Sequence, residues 1–377
     1  MRVLITPEWY PDAVRPYFGV FCREQARTAA RAHDVVVLTW KYDSTLRLPF
    51  RIERFVDEGV RTFRVRFRGT RVPKTPGTFK LAGIATVLLE LRRQGWKPDV
   101  VHAHEYVAGR VALLIGRVLR RPVVVSEHYG GFARGVVSAG DRAAARDVFE
   151  RAAVVCPVSR DLERHLREIA PAASFEAVPN VVDDDVFHPA SGFSIDGTLR
   201  LVTVGNLVDV KGHRYLLEAM RLLRAGRTVT LDVIGDGELR RDLVSLTDSL
   251  GLNGDVRFLG QRPKAEVAAR LRAADIFVLP SLGENMPCAL LEALACGLPS
   301  VASRVGGVPE VLDEGCGVTV EPGSAEALAA AIEAAAERLD RYDRAGVAAA
   351  ARARFGNDAI GRRWSGVYAH ALGGRGP

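Results

Sequence analysis

The chain has few of the features that mark fibrous, secreted or membrane-spanning proteins. Its five cysteines among 377 residues form no CxxC pair and no Cys/His cluster, so neither zinc nor a disulfide framework is indicated. No apolar run reaches the ~18–20 residues of a membrane span, and the opening run 1–6 is too short for a signal peptide. Heptads, Gly-X-Y periods and low-complexity tracts are lacking too. We therefore expect a globular protein with reduced thiols, located in the cytoplasm.

Familiar nucleotide-binding and hydrolase motifs are also missing. There is no Walker A sequence and no GxSxG nucleophile elbow. Residues 234–238 read Ile-Gly-Asp-Gly-Glu and do not complete the GxGxxG pattern of NAD enzymes. Aromatic residues make up only 7% of the chain and no recognised nucleic-acid module is present, so nucleic-acid binding is not expected.

Positive charge is concentrated in the first half of the chain. Residues 1–189 hold 30 Lys+Arg against 22 Asp+Glu, a net of +8, whereas the remaining residues have a net of −1. Such an asymmetry suits a nucleic acid, a membrane surface or an anionic substrate. An arginine-rich composition with solvated side chains explains it equally well, and the sequence leaves that alternative open.

Two successive halves repeat the same alternation of short apolar runs and helical stretches. Buried parallel strands are continuous Val/Ile/Leu runs, and strands alternating with helices form sheets covered on both faces. The pattern predicts an α/β fold with two Rossmann-like, doubly wound domains at 1–187 and 198–355, separated by a Gly/Ser/Pro-rich break. A last helix within 356–377 is expected to pack back toward the first domain. Such domains bind ligands at the carboxyl ends of their strands, here in a shared cleft.

The elements predicted from this pattern are short strands and amphipathic helices. In the first half the strands are 3–5, 35–39, 62–67, 100–102, 123–126, 154–158 and 175–178. In the second half they are 201–204, 230–234, 256–259, 276–279, 300–302 and 318–320. The predicted helices are 18–32, 79–93, 108–119, 325–341 and 358–372.

One predicted helix start has the properties of an anion site. The segment 280–299 begins at the end of a strand, with Asn285 as a suitable N-cap and Pro287 in the first turn. The amides near Cys288 and Ala289 then lack partners within the helix, which suits a diphosphate.

Two glutamates accompany this helix start. Glu284 lies just before the helix and Glu292 about two turns later, so both can face one ligand, Glu284 near the anion and Glu292 deeper. The alternative is a surface glutamate plus an ordinary helix glutamate.

The glutamate spacing and several further motifs resemble the retaining glycosyltransferases of family 4, which have the GT-B fold. Each motif is weak alone, whereas their order and spacing are specific, and the resemblance covers nearly the whole chain. In chain order the motifs are Tyr10-Pro with Gly19-Val-Phe, Asp99–His104, Ser126-Glu-His128, Val178–Asp183, Val204–Gly212, Glu284-x7-Glu292 and Val305–Glu310.

The resemblance implies a division of labour around a nucleotide sugar. Glu292 would hydrogen-bond the ribose hydroxyls and Glu284 the hydroxyls of the donor sugar. Lys211 would hold the diphosphate, where its ammonium neutralises charge developing on the leaving group. The backbone amides of Cys288 and Ala289 would do the same.

Further positions match the family around the donor. Arg262 would flank the nucleotide base, where a guanidinium plane can stack. Gly19 would let its loop approach the phosphates closely, since a Cβ would intrude. Asn285 and Met286 belong to the donor loop before the helix. His128 matches a residue near the donor sugar and the reactive centre, although a hydrogen-bonded strand-end histidine is the alternative.

The family pattern is broken at one position. Where many members have arginine this chain has Asn206, an amide that donates hydrogen bonds without charge, so Lys211 carries more of the phosphate neutralisation. Because Lys211 and the helix end supply positive potential, no metal and no other cofactor is expected. His102 and His104 lie two apart on a strand without an evident third ligand, so we interpret them as structural.

The reaction implied is transfer of a sugar from a nucleotide-diphosphate sugar, such as UDP-GlcNAc, to an acceptor hydroxyl with retention at the anomeric carbon. The acceptor would belong to a small molecule, a lipid-linked sugar or a growing glycan. An inverting GT-B transferase with His128 as general base, or a sugar-nucleotide epimerase, is one alternative. A non-catalytic nucleotide-sugar-binding protein, motivated by Asn206, is another.

An arginine-rich strand on the acceptor side is the sequence's main clue to a partner. Arg64, Arg66 and Arg68 alternate and share one face, and Arg71, Lys74 and Lys80 follow before an apolar helix. This pattern suits an anionic lipid or phosphorylated acceptor, with peripheral contact to the inner face of a membrane. An edge strand coated with arginines against aggregation is equally compatible.

Overall fold

A computed structural model describes residues 1–69, 77–189 and 197–373, which fold into two α/β units. Each unit contains a predominantly parallel sheet with helices packed on it, which confirms the predicted class of two Rossmann-like domains. One unit comprises Met1–Val158, Glu163–Pro179 and Ile360–Pro377, and the other comprises Ser159–Leu162 and Asn180–Ala359.

The first sheet has seven strands in the order β3-β4-β2-β1-β5-β6-β7. Its strands are β1 Arg2–Pro7, β2 Asp34–Tyr42, β3 Phe50–Asp57, β4 Val60–Phe67, β5 Val100–His104, β6 Val123–Glu127 and β7 Val154–Pro157. The central strands are buried on both faces, as β5 and β6 are throughout, because helices cover the sheet on each side. Strand β1 pairs with β2 on one side and with β5 on the other, both in parallel.

The edge strand β3 was not predicted. It pairs antiparallel with β4 through a tight turn in which Glu58 and Gly59 both have positive φ, 47° and 83°. Two-residue turns of this kind match the twist of a hairpin. Strand β3 alternates partly exposed and exposed side chains, so it lacks the continuous apolar run used to find the other strands. The strand predicted at 175–178 is instead a single bridge between Val155 and Phe175.

Helices cover the first sheet and connect its parallel strands. Chain order gives α1 Val20–Ala30, α2 Thr78–Arg93, α3 Tyr106–Leu119, α4 Ala139–Arg151 and α5 Arg160–Ile169. Helix α3 packs closely, since an added Cβ at Gly109 or Gly116 would lie 2.5 Å from the side chain of Val148 or Val123. Glycine at these positions lets the helix approach its neighbours.

The second sheet has six parallel strands in the order β10-β9-β8-β11-β12-β13. They are β8 Leu199–Val204, β9 Val229–Ile234, β10 Val256–Gly260, β11 Ile276–Leu279, β12 Ser300–Ser303 and β13 Gly317–Val320. The helices are α6 His213–Arg224, α7 Arg240–Ser249, α8 Lys264–Ala273, α9 Cys288–Ala295, α10 Val308–Val311, α11 Ala325–Ala336 and α12 Arg344–Phe355, with 3-10 turns at Asp209–Lys211 and Leu339–Arg341. All six strands predicted for this half are present.

The last helix, α13 Asn357–Ala371, contributes aromatic side chains to the first unit. Trp364 and Tyr368 are buried, and the Trp364 indole Nε1 donates to Gln25 Oε1 at 2.6 Å. The Tyr368 hydroxyl bonds to His102 Nδ1 at 2.9 Å. These contacts give a physical reason for the grouping of this helix with the N-terminal residues.

Residues 180–187 group with the second unit, although the sequence placed them in the first. The Val182 amide donates to Phe355 O at 2.9 Å, and Lys264 Nζ lies 3.1 Å from Asp183 Oδ2. The break predicted at 187–198 falls partly outside the described residues. Along the described ranges, no helix is both long enough and apolar enough to cross a membrane.

Candidate functional site

The chain changes direction across the second sheet between β8 and β11. These strands are neighbours, and the chain leaves β8 for β9 on one side and returns to β11 on the other. Such a switch point leaves a crevice at the carboxyl ends of the two strands, which is where open α/β sheets bind ligands. The loop after β8 carries Lys211, and the loop after β11 carries Glu284.

Lys211 and Glu284 form an ion pair across this switch point. Lys211 Nζ lies 2.6 Å from Glu284 Oε1, and their side chains are 24% and 7% exposed. The hydroxyl of Ser281, a fully buried residue, donates to the same carboxylate oxygen at 2.7 Å. The structure thus brings together two residues predicted from sequence and adds Ser281, which the sequence reasoning missed. Its position directly after a buried strand was the available signal.

Glycines allow the loops around this ion pair to pack backbone against backbone. Gly212 has φ 63°, and a Cβ there would lie 2.1 Å from the carbonyl oxygen of Pro280. A Cβ on Gly306, at φ 51°, would lie 1.8 Å from the carbonyl oxygen of Glu284. The amide of Gly307 donates to Asn285 O at 2.7 Å. Any other residue at these positions would displace the loop that carries Glu284.

The helix after Glu284 begins later than predicted. Its N-cap is Pro287, with extended φ −72° and ψ 110°, and no side chain caps it, so the prediction of Asn285 as N-cap was wrong. The ring of Pro287 favours this extended geometry and removes one amide from the helix start. The amides of Leu290 and Leu291 donate to the Pro287 carbonyl, while those of Cys288 and Ala289 precede them at the N-terminus.

A buried asparagine holds the residue before this helix. Asn180 Nδ2 donates to the carbonyl oxygen of Met286 at 2.8 Å, and Asn180 is only 6% exposed. Met286 itself is buried. The loop before α9 is therefore held from two sides, by Asn180 at Met286 and by Gly307 at Asn285.

The remaining predicted donor residues occupy the same unit in different settings. Asn206 is exposed, and its carbonyl oxygen lies 3.3 Å from Nε2 of His213, whose pKa burial lowers to about 4. Arg262 is partly buried, with Nε 3.5 Å from Glu266 Oε1. Glu292 is partly buried on α9. None of the five cysteines forms a disulfide, and only Cys288 among them is more than slightly exposed. Contact of these residues with a donor stays a prediction.

The first unit has its own switch point at β1, next to the predicted Gly19 loop. Gly19 has φ 74°, and a Cβ there would lie 2.4 Å from the carbonyl carbon of Trp9. Glycine is therefore required by the approach of the loop to its own chain. The predicted approach of Gly19 to donor phosphates stays a prediction.

His128 follows β6 and is held by rings and by a hydrogen bond. Its Nε2 lies 3.0 Å from His104 Nδ1, and the two rings stack at 5.3 Å between centroids. The Phe21 ring also lies against the His128 imidazole, with ring centroids 4.6 Å apart. These contacts fix the orientation of the imidazole.

His102 and His104 are buried and neutral. Burial lowers the pKa of His102 to about 3 and that of His104 well below its usual value. His102 uses both ring nitrogens, one with Tyr368 and the other with Ser126 Oγ at 2.8 Å. Within the part of the chain that the structure describes, no three His, Cys, Asp or Glu side chains converge as a metal site.

Two buried carboxyl groups lie beneath the His128 loop, and the sequence reasoning assigned neither. Glu127 accepts backbone amides from Tyr106 at 2.9 Å, His128 at 2.9 Å and Tyr129 at 2.8 Å. Glu105 lies beside it with φ 75°, in the region that disfavours side chains. Burial and the nearby Glu127 raise the pKa of Glu105 well above its usual value, and burial raises that of Glu127. We place the proton on Glu105, which donates to the amide-bound Glu127 carboxylate.

Comparison with known proteins places this geometry in a family. A model of glycosyl transferases group 1 matches residues 198–338, and a model of a glycosyl transferase 4-like domain matches residues 18–181. A D-inositol 3-phosphate glycosyltransferase of Segniliparus rotundus is 32% identical over 316 residues, covering 76% of this chain and 70% of that protein. This chain belongs to the GT4-type glycosyltransferases.

Other relatives and solved structures agree with this membership. A glycogen synthase of Mycobacterium tuberculosis is 28% identical over 372 residues, 91% of this chain and 89% of that protein. Sucrose-phosphate synthase from Thermosynechococcus elongatus superposes with a TM-score of 0.76 at 20% identity, covering 99% and 100% of the two chains. Anabaena HepE in complex with UDP gives 0.75 at 19% identity, covering 97% and 98%. The GT4-type enzyme thus has the GT-B fold and transfers a sugar from a nucleotide sugar.

One of the two predicted interpretations of the arginine-rich strand, an edge strand coated with arginines, is wrong. Strand β4 lies between β3 and β2, so it is not an edge. Arg66 Nη1 bonds to Glu53 Oε1 at 3.0 Å and its other nitrogen bonds to Asp43, while Arg64 lies 3.9 Å from Glu53.

The remaining basic side chains of that predicted patch are dispersed. The Arg68 guanidinium reaches the carbonyl of Arg47 at 3.4 Å, and Lys80 lies 5.0 Å from the Trp40 ring centroid. Arg71 and Lys74 lie outside the described residues. Acids therefore neutralise Arg64 and Arg66, whereas Arg68 contacts a carbonyl oxygen and no acid among the described residues.

Proposed function

We propose that this glycosyltransferase uses a uridine diphosphate sugar and retains the configuration of the anomeric carbon. The observation that carries the proposal is the Lys211–Glu284 ion pair at the β8/β11 switch point, on the loop leading to α9. An ammonium and a helix N-terminus provide positive potential where a diphosphate would take up negative charge as it leaves.

The ion pair also indicates how a donor would enter. A bound diphosphate offers Lys211 a second anion, which would release Glu284 to accept hydroxyls of the sugar. Ser281 would keep the Glu284 carboxylate in place, since its hydroxyl donates to Oε1 at 2.7 Å. With this local positive potential, we propose that the reaction needs no divalent cation.

Retention without a covalent intermediate suits the carboxyl groups present. A retaining glycosidase uses two carboxylates about 5–5.5 Å apart as nucleophile and acid/base. In the first unit Glu127 already accepts three amides and Glu105 is buried, so neither suits a nucleophile. We favour attack on the face from which the phosphate leaves, with a departing phosphate oxygen taking the acceptor's proton as the new glycosidic bond forms.

Relatives support the substrate classes in this proposal. Anabaena HepE was crystallised with UDP and with UDP-glucose, which favours uridine for this chain. The Segniliparus relative is named for transfer to an inositol phosphate, and an Arabidopsis relative, 31% identical over 301 residues, for transfer to phosphatidylinositol. We propose an acceptor hydroxyl on a sugar, on another small molecule or on a lipid-linked glycan.

The proposal is tested by donor screening followed by product analysis. Thermal shift with UDP-, ADP- and GDP-sugars should show stabilisation by UDP-sugars, and release of UDP should continue in EDTA. NMR of the product formed from a UDP-α-sugar should show an α linkage. A β-linked product would establish inversion, and tight donor binding without any transfer or slow hydrolysis would indicate the non-catalytic alternative.

A further inference from the structure

The second unit contains a cavity of about 320 Å³ whose lining shares no residue with the candidate site. It is bordered by the last turn of α9, the end of α10, the loop before β13 and one face of α12. Its floor is apolar, since Leu294, Val311, Val347 and Phe355 line it and each is at most 6% exposed. Pockets of roughly 300–1,000 Å³ with an apolar lining and a few polar groups are typical of small-molecule sites. The cavity therefore has the size and the lining to hold a small molecule.

Four charged side chains, two acidic and two basic, also line this cavity. Asp343 Oδ1 accepts an amide at the start of α12 at 3.0 Å, and Asp313 Oδ1 accepts the Gly315 amide at 3.0 Å. Arg341 is exposed, and its side chain forms no ion pair or hydrogen bond within the described ranges. Backbone amides thus stabilise both carboxylates, whereas the Arg341 guanidinium is available to a bound anion.

The second basic side chain, Arg354, connects the cavity to α10. Its Nη1 donates to Val311 O at 3.2 Å, and its Nη2 donates to Glu310 O at 2.5 Å. The guanidinium carbon lies 4.7 Å from the centroid of the Phe355 ring in the cavity floor. Both acceptors are uncharged carbonyls, and a guanidinium forms stronger hydrogen bonds to an anion than to a neutral group. A carboxylate or sulfonate in the cavity would therefore draw Arg354 away from the end of α10.

Helix α10 in turn contacts the loop that carries Glu284. This four-residue helix begins after Gly307, whose amide donates to Asn285 O at 2.7 Å. A Cβ on the neighbouring Gly306 would lie 1.8 Å from the carbonyl oxygen of Glu284, so the two backbones are in direct contact. Movement at the end of α10 would thus shift the loop before α9. Helix α9 itself extends from the predicted anion site at its first turn to Leu294 in the cavity floor.

We propose that this cavity is a regulatory site for an amphipathic anion, meaning a small aromatic or aliphatic molecule with one carboxylate or sulfonate group. The apolar part fills the floor, and the acidic group pairs with Arg341 and Arg354. Because binding releases the end of α10, the occupied cavity weakens binding of the nucleotide at the carboxyl edge of the second sheet. Such coupling is reciprocal, so the nucleotide weakens binding of the anion by the same factor. The regulatory effect rests on the proposed donor site, whereas binding in the cavity does not.

Other small molecules suit the cavity less well. A cation would meet two arginines of like charge, together with two acids that backbone amides already hold. An uncharged apolar molecule would fill the floor but leave Arg341 without a partner, and it would not draw Arg354 away from its carbonyl acceptors. An amphipathic anion uses both the floor and the guanidinium groups.

The test of binding uses 8-anilinonaphthalene-1-sulfonate, an amphipathic anion whose fluorescence rises in apolar surroundings. Ala350→Trp places an indole in the cavity and should weaken binding of this probe to the full chain at least about tenfold. Ala349→Trp is the matched control, because both alanines are exposed on α12 and only Ala350 lines the cavity. Arg341→Gln should weaken binding of the sulfonate about two- to fivefold, as for one exposed ion pair. It should leave binding of N-phenyl-1-naphthylamine, which lacks the sulfonate, unchanged.

Calorimetric titration of UDP measures the coupling between the two sites. Saturating sulfonate should raise the Kd for UDP at least about fivefold in wild type and in Ala349→Trp, the lower end of allosteric coupling. The Kd should not respond to the sulfonate in Ala350→Trp. UDP binding in the absence of the sulfonate should be the same in all three proteins, which shows that both variants are folded.

Three results would overturn the proposal. Equal binding of the sulfonate to Ala350→Trp and Ala349→Trp would place the probe elsewhere. Competition with UDP that persists in Ala350→Trp would place it in the nucleotide site. A Kd for UDP that does not respond to bound sulfonate in wild type would show that the cavity does not regulate the enzyme. Failure of wild type to bind UDP without the sulfonate would instead contradict the donor proposal, while the comparison of probe binding would still test the cavity.

Discussion

At the carboxyl edge of the first sheet the ionisable groups are buried, neutral or joined by a shared proton, whereas at the same edge of the second sheet they form an accessible ion pair. His102 and His104 have lowered pKa values and Glu105 has a raised one, because each is fully buried. Lys211 instead faces Glu284 with 24% of its side chain exposed. The same fold therefore supports a buried edge with neutral histidines and one proton shared by two carboxyl groups in one unit, and an edge able to exchange one anion for another in the second.

Removing the cation of the second edge should have the largest effect. Lys211→Ala leaves Glu284 without its counter-ion. It also removes the positive charge that we propose neutralises the leaving diphosphate. We expect kcat/KM to fall at least about tenfold, by analogy with the loss of one oxyanion-hole donor, which costs roughly 10²- to 10³-fold in kcat. Steady-state release of UDP measures this. Arg214→Ala, three residues away and 65% exposed, is the control and should retain activity. Full activity of Lys211→Ala would contradict the role that we propose for the cation at the carboxyl edge of the second sheet.

Replacing Glu127 should disrupt the first edge by loss of structure. Glutamine offers one acceptor oxygen where the carboxylate now accepts three amides. We expect Glu127→Gln to lower the free energy of unfolding by roughly 2–3 kcal/mol, since hydrogen bonds to charged groups are stronger and their loss leaves buried amides unpaired. All four tryptophans, residues 9, 40, 96 and 364, lie in the first unit, so tryptophan fluorescence in urea reports it selectively. An unchanged urea midpoint would contradict the proposed role of the carboxylate.

Replacing Glu105 should have an effect of the opposite sign that is negligible near pH 4.5 and grows with pH. A carboxyl group with a raised folded pKa stabilises the fold fully below its unfolded pKa of about 4.3, and that stability is lost as pH rises toward the folded pKa. Glu105→Gln mimics the protonated state at every pH. The variant should match wild type near pH 4.5 and then become more stable, by up to about 1.4 kcal/mol per pH unit.

The same urea titrations at pH 4.5, 6 and 7.5 check this expectation. His102 and His104 act in the opposite direction, since a lowered pKa gives stability above about pH 6.5 that is lost at lower pH. Both proteins contain these histidines, so the difference between variant and wild type isolates Glu105. A difference that does not change with pH would mean that Glu105 is ionised in the fold.

The sequence was sufficient for the parts of the fold that rest on continuous apolar runs. The central strands of both sheets were predicted because burial on both faces demands such runs. The outer strands β10 and β13 of the second sheet are only partly buried, yet they were predicted as well. Strand β3 escaped because one of its faces is polar and the other only partly buried. The N-cap was misplaced because Asn285 has the preferred side chain, while the ring of Pro287 sets the actual start of α9.

The charged residues of the candidate site were predicted from the sequence, whereas the residues that support them were not. Lys211 and Glu284 follow from the family motifs, and the structure joins them at 2.6 Å. Ser281 supports the site through its hydrogen bond to Glu284. Glu105 and Glu127 do so through their contact with each other and through the backbone amides bound to Glu127, which motifs do not reveal. Glu53, the acidic partner of Arg64 and Arg66, could likewise not be predicted, because it lies on the unpredicted strand β3 that pairs with β4.

The central claim is that the carboxyl edge of the second sheet binds the nucleotide of the donor, and calorimetric titration of UDP into wild type and Glu292→Ala tests it most directly. Loss of the glutamate that we assign to the ribose hydroxyls should raise Kd by about 10- to 100-fold, the equivalent of a charged hydrogen bond of roughly 1.5–3 kcal/mol. Glu337→Ala, at an exposed glutamate after α11, should bind like wild type. Affinity for UDP that is unchanged in Glu292→Ala, with the fold intact, would contradict the assignment.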